Sequence, residues 1–290
     1  MKSNIGAGKV VVGIILSFLI LVLSQSCAFS IGNMLMVKGV PTYVAYAVIG
    51  ILYIGFSYFM IKILCEKILK YKLEKLMITK FRINFKWLCI GILVPMAVTG
   101  VYMLLPGELK SNNFDTTKIL GAVSTSILMI GLSAGIVEEM VFRGVIMNLL
   151  NEKWGKKVAI IVPAIFFAAV HILNGKISFF SAIQLIVVGT LAGCMFSFIA
   201  FERKSIWNSA IVHALWNFIM IGQIFNISTD FTEASMYSYK ISSKNAMITG
   251  GDFGIECSVI AAIAYIIVII IAYLGAKKQE KTNNKVKVLN

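Results

Sequence analysis

The stretch ILGAVSTSILMIGLSAGIVEEMVFRGVIMNLL, residues 119–150, decides the fold. At about 1.5 Å per residue, a helix of this length outruns the roughly 30 Å hydrocarbon core of a bilayer. It is apolar almost throughout, yet its middle carries Glu138, Glu139 and Arg143. A charged group near the centre of a membrane helix costs at least ~2.5–3.5 kcal/mol on insertion scales, so such groups are functional candidates by default. The stretch therefore reads as a membrane helix, tilted, kinked or extended past the interface, that carries a polar site. Glu139 and Arg143 stand i,i+4 with the glutamate on the N-terminal side, which suits an ion pair that partly offsets burial of both charges. Glu138 lies about 100° round the helix and meets Phe142 at i+4, so its partner has to come from another helix or from water.

The rest of the chain agrees with a membrane setting. Of 290 residues, 59% are hydrophobic and only 14% charged, against about 25% charged in soluble domains. Such a chain cannot cover itself with a water-compatible surface. The net charge of +14 would fit a nucleic-acid binder, but with a mean hydropathy of +0.87 it points to loops beside anionic lipid, and no nucleic-acid partner is expected. Five cysteines, Cys27, Cys65, Cys89, Cys194 and Cys257, lack CxxC spacing and imply neither a disulfide framework nor a zinc knuckle.

Eight apolar stretches are long enough to be read as spans. They run from about Val10 to Phe29, Pro41 to Leu64, Trp87 to Leu105, Ile119 to Leu150, Val158 to Leu173, Ile177 to Phe201, Ile206 to Phe225 and Ile255 to Leu274. The first is longer than the h-region of a signal peptide and is taken as a span. Lysine-rich segments (Lys2 and Lys9; Lys67 to Lys86; Lys153, Lys156 and Lys157; Arg203 and Lys204; Lys277 to Lys287) alternate with lysine-poor loops. Both termini then lie in the cytoplasm. The expected fold class is all-α: a polytopic membrane protein of about eight transmembrane helices, N-in and C-in. It forms one domain over residues 1–290, with a motif-bearing core at about 118–225 and a basic cytoplasmic tail at 275–290. Residues 226–254, polar and serine-rich, read as an extended external loop. The loop from Lys67 to Lys86 reads as a solvated, lipid-facing surface that could also gather an anionic substrate segment.

The only two histidines, His171 and His213, both fall in apolar stretches. Asn217 follows His213 by four residues on the same helical face, and Phe167 precedes His171 by one turn. Counted from the cytoplasmic ends of their spans, Glu139, His171 and Asn217 lie about 20 Å deep and His213 about 14 Å, so three helices can bring them to one site. That depth places the site in a cleft open to the cytoplasm or within the bilayer. Gly131 and Gly135, and Gly189 and Gly193, are small-xxx-small pairs that allow the close helix packing this needs.

Glu138-Glu139-xxx-Arg143, Phe167-xxx-His171 and His213-xxx-Asn217, in that order on three membrane helices, resemble the family of CAAX prenyl protease 2 and bacteriocin-processing enzymes, the CPBP or Abi intramembrane proteases. The likeness covers helices 4 to 7. It implies that Glu138 and His171 hold and activate a water, that His213 and Asn217 stabilise an oxyanion, and that Glu139 with Arg143 orders the site, Phe167 packing beside His171. The residue chemistry is compatible: burial moves a carboxylate pKa toward that of a working base, and imidazole N–H and amide NH₂ groups can be oxyanion donors. No cofactor is expected. Zinc is the alternative, held by Glu138, His171 and His213; the absence of a His-Glu-x-x-His motif and the adjacency of the two glutamates favour metal-independent glutamate catalysis. The expected function is endopeptidase cleavage of membrane-associated or lipidated peptides or proteins, with membrane lipids as the other partner. The competing functions are a non-catalytic bacteriocin-immunity or scaffold protein and a proton-coupled transporter, since membrane Glu and His residues also build proton relays. The lysine bias fits a bacterial plasma membrane.

Overall fold

The computed structural model describes residues 5–289. Lys2, and the side chains of Lys285 and Lys287, lie outside the described residues. Eight principal helices occupy the eight expected places: α1 (Ala7–Val37), α2 (Thr42–Leu69), α3 (Phe85–Met103), α4 (Thr116–Trp154), α5 (Lys156–His171), α6 (Phe179–Arg203), α7 (Trp207–Met220) and α8 (Val259–Leu289). Six of them are long and apolar enough to cross a membrane; α5, with 16 residues, and α7, with 14, fall short of that length. The protein is thus a mostly helical, integral membrane protein in which six of the eight expected spans are of membrane-crossing length. Helix α7 ends early because the chain turns tightly at Gly222, where any Cβ would collide with the Phe218 carbonyl.

Helix α6 is the centre of the bundle: 56% of its apolar window is buried, against 28% for α1, α3 and α8. The outer helices instead expose large apolar side chains such as Val22, Phe59, Leu93 and Ile263, a surface matched to lipid rather than water. Close approach is built from small residues. A Cβ on Gly193 would lie 2.7 Å from Ala164 Cα, and one on Gly135 would lie 2.7 Å from the Ala214 nitrogen. The first contact seats α6 on α5 and the second seats α4 on α7, the packing expected of both glycine pairs.

Helix α4 is unbroken over 39 residues but not uniform. Two π-helical segments, Thr125–Ser133 and Met140–Ile146, flank a short α-helical stretch, Ala134–Glu139. Local side chains support the wide turns. Ser133 Oγ donates to the Met129 carbonyl at 2.5 Å, and Asn148 Nδ2 donates to the carbonyls of Arg143 and Gly144 at 2.8 and 2.7 Å. The expected kink in this span takes the form of widened turns.

The two ends of the bundle differ. At the lysine-rich end, Glu202 of α6 accepts from Trp87 Nε1 at 2.8 Å and from Gln279 Nε2 at 3.2 Å, tying α3, α6 and α8 together. Thr79 and Asn84 bond Ser205, Trp207 and Asn208, so the loop before α3 is held on the start of α7. The basic segment after residue 275 continues α8 as helix. At the other end, residues 226–254 are not an extended loop. With residues 107–111 they form a three-stranded sheet of order β1-β3-β2: β1 (Gly107–Ser111) antiparallel and β2 (Phe225–Ser228) parallel to β3 (Tyr237–Ile241). Asn112 Nδ2 donates to the carbonyls of Thr232 and Ser235, and the Tyr239 hydroxyl to that of Leu105. The small sheet is the departure from an all-α chain, and it makes this end an ordered cap.

Candidate active site

The glycine contacts bring the polar residues of α4 against α7. Arg143 is fully buried; its Nη1 donates to Glu139 Oε1 at 2.8 Å and its Nη2 to the Gly193 carbonyl of α6 at 2.9 Å. The guanidinium lies 4.8 Å from the Phe167 ring centre and 5.2 Å from that of Phe196. A buried cation is thus paired with a carboxylate, a carbonyl and two aromatic faces, which offsets its loss of water. The expected Glu139–Arg143 pair is present, and Arg143 Nη2 links it to α6 through the Gly193 carbonyl.

His213 of α7 touches both glutamates. Its Nδ1 lies 3.2 Å from Glu139 Oε1 and its Nε2 lies 3.9 Å from Glu138 Oε2. Because Glu139 Oε1 also accepts from Arg143, it is a carboxylate oxygen, so Nδ1–H is the donor and Nε2 faces Glu138. Glu138 Oε2 is buried and carries no hydrogen bond among the described residues. The partner that Glu138 required from another helix is therefore His213, and Tyr53 of α2 lies within electrostatic reach of the same carboxylate.

His171 ends α5. Its Nδ1 is 2.6 Å from the Phe167 carbonyl, which can only accept, so Nδ1 carries the proton and Nε2 keeps its lone pair. Phe167 packs tilted against His171 at 4.8 Å and edge-on against His213 at 5.7 Å, and Phe196 stacks on His213 at 4.4 Å and 17°. Two phenyl rings thus fix both histidines. Asn217, one turn after His213, spends one amide hydrogen on the Ile130 carbonyl at 3.2 Å; its second hydrogen remains available as a donor.

His171, His213 and Asn217 share a cavity of about 90 Å³ with Phe167, Phe196 and Trp216, enough room for several waters. Neither glutamate is on its wall; His213 connects it to them. The far wall is supplied by Phe253, Glu256 and Cys257, from the segment between the sheet and α8. The cavity therefore reaches the cap and not the lysine-rich loops. Sequence reasoning missed Tyr53, Phe196, Trp216 and Glu256. Only the helical spacing of Phe196 three residues after Gly193 offered a signal, and it was shared with many apolar residues.

Among the described residues no three His, Cys, Asp or Glu side chains assemble as a metal-binding set. Glu138 stands 3.9 Å from His213 Nε2 but is not on the wall of the cavity that holds His171, so the three are not drawn together as one ligand set.

Residues 121–219 match the family described as Type II CAAX prenyl endopeptidase Rce1-like. The resemblance to the CPBP family is borne out. The matched Rce1-like region runs from within α4 to the end of α7 and contains Glu138, Glu139, Arg143, Phe167, His171, His213 and Asn217. The chain is also 22% identical over 178 residues to a Bacillus subtilis (strain 168) protein described as "Putative membrane peptidase YdiL". That alignment covers 59% of this chain and 66% of the relative. No solved structure matches the chain.

Proposed function

We propose that this protein is an intramembrane endopeptidase in which Glu138 activates the attacking water without a metal ion. The observation that carries this reading is that His171 and His213, from two helices, share one small cavity, and that His213 in turn reaches Glu138 of a third helix. In the proposed reaction, water held between Glu138 and His171 Nε2 attacks the scissile carbonyl and passes its proton to the Glu138 carboxylate. The oxyanion is met by His213 and Asn217; the tetrahedral intermediate then collapses, breaking the C–N bond as Glu138 passes the proton on to the leaving amine. To donate from Nε2 while Nδ1–H remains on Glu139, His213 must carry both protons, and the Glu139 carboxylate stabilises that cation. Glu139 and Arg143 thus act through His213, as positioning residues. Substrates are peptides or lipidated proteins in the membrane, and the family likeness favours a bacterial plasma membrane as its setting.

The test is cleavage of a membrane-embedded fluorogenic peptide by the full chain reconstituted in vesicles. Removal of a general base typically costs about 10²–10⁴-fold, so Glu138→Ala should lose activity by that factor while remaining folded in the membrane, and a chelator should leave the wild type unchanged. Full activity in Glu138→Ala would overturn the mechanism. Activity removed by chelation and restored only by zinc would replace it with metal catalysis. Proton flux through vesicles holding a chain that cleaves no peptide would favour the transporter instead.

A further inference from the structure

One acidic side chain in the cavity has no place in that reaction. Glu256 precedes α8 by three residues and lies outside the matched region. Its neighbourhood is built to hold it. Asp252 Oδ2 accepts from the Ser178 backbone at 2.8 Å, the Asp252 nitrogen donates to Ser181 Oγ at 3.0 Å, and Gln184 Nε2 donates to the carbonyls of Ala246 and Cys257. These bonds fasten residues 246–257 onto the start of α6. The Tyr265 hydroxyl of α8 donates to the Glu256 carbonyl at 3.1 Å. Gly254, at φ 121°, leaves the space the carboxylate occupies: a Cβ there would lie 3.0 Å from Glu256 Oε2.

Backbone groups of Ala246, Asp252, Glu256 and Cys257 are bonded to α6 or α8, while the Glu256 carboxylate is not. Among the described residues no other residue donates a hydrogen bond to it, and no lysine or arginine lines the cavity. The titratable groups around it are Tyr102 of α3, Tyr265 of α8, Cys257 beside it, His171 of α5 and His213 of α7. The remaining wall is apolar, from Phe167, Leu185, Ala192 and Trp216. An apolar chamber with one carboxylate lacking a cationic partner is complementary to an alkyl chain ending in an ammonium group, whose methylenes take the apolar wall and whose charge takes the carboxylate.

We propose that Glu256 makes this cavity a subsite for a lysine-like side chain, selecting peptides that place an alkylammonium group beside the scissile bond. The proposal rests on the peptidase reading for its substrate, and on the cavity alone for its ligand. Burial pushes the Glu256 carboxyl up from 4.5 to about 7, so the subsite gains charge and affinity for a cation as pH rises through neutrality.

Binding and cleavage test the two parts separately. With the detergent-solubilised full chain at pH 8, n-butylammonium should bind about tenfold more tightly than n-butanol, as expected for a charge-assisted contact. Glu256→Gln should reduce that preference to near parity, and Glu138→Ala should retain it. The wild-type preference should fade at pH 5.5. Any part of this fading due to protonation of His171 or His213 persists in Glu256→Gln and can be subtracted. In vesicles, a lysine-containing peptide should be cleaved about tenfold faster than its norleucine counterpart by the wild type and equally by Glu256→Gln. Equal binding of amine and alcohol by the wild type, or a preference that survives in Glu256→Gln, overturns the subsite. Amine selectivity in a chain that cleaves no peptide keeps the subsite and sinks the peptidase reading.

Discussion

His213 is the side chain on which the candidate site turns, because it is in contact with Glu138 and Glu139 and also forms part of the cavity wall. Its placement was legible in the sequence because a histidine in an apolar helix is rare and expensive, as are paired glutamates. Glu256 was not legible. It sits where a polar loop meets α8, and there a glutamate reads as an ordinary solvated end; only folding of the 246–257 segment onto α6 encloses it. The raised Glu256 pKa has a consequence for stability. An unfolded glutamate loses its proton near 4.5 and the folded one near 7. Between these values the folded state holds more protons, so its stability falls as pH rises across this window and levels off above it. Glu256→Gln removes this slope: relative to wild type, its thermal unfolding midpoint should rise from pH 4.5 to pH 8. A constant difference between the two proteins would show that the carboxyl is not buried in solution.

At the scale of elements, the site depends on how α4 is wound. A π turn takes in about one more residue than an α turn, so each widened segment shifts the faces that follow it. The stretch Ala134–Glu139 is phased toward α7 through Gly135, while Arg143, in the next widened segment, is phased toward α6. One helix thereby serves two neighbours. Apolar periodicity gave its length but not these turns, since i→i+5 bonding leaves no mark in composition. Helix α7 is shorter than its apolar stretch for a related reason: apolarity continues past Met220 into β2 although the helix does not. Strands β1 and β3 pair across more than a hundred residues of chain, a register no local pattern shows. Gly135→Leu should force α4 off α7, because its Cβ falls 2.7 Å from backbone. Overpacking of this kind costs about 1–3 kcal/mol, and peptide cleavage should fall far more than the unfolding midpoint. Unchanged cleavage would mean that α4 and α7 need not touch.

Across the whole molecule, the charge of +14 is resolved into topology, with lysine-rich loops at one end and a sheet-bearing cap at the other. Orientation can be read with a membrane-impermeant maleimide on intact cells, in a background from which the native cysteines have been replaced. A cysteine at exposed Glu233 should label and one at exposed Lys72 should not, until the membrane is opened; the reverse pattern would invert the protein. This polarity matters because the cap, not the lysine-rich end, walls the cavity. With the lysine-rich loops in the cytoplasm, as proposed, a chain made there would meet His171 and His213 only after threading most of the bilayer. The proposed hydrolysis would then be a record of translocation: polypeptides that never enter the membrane would be spared whatever their sequence, with insertion first and cutting second.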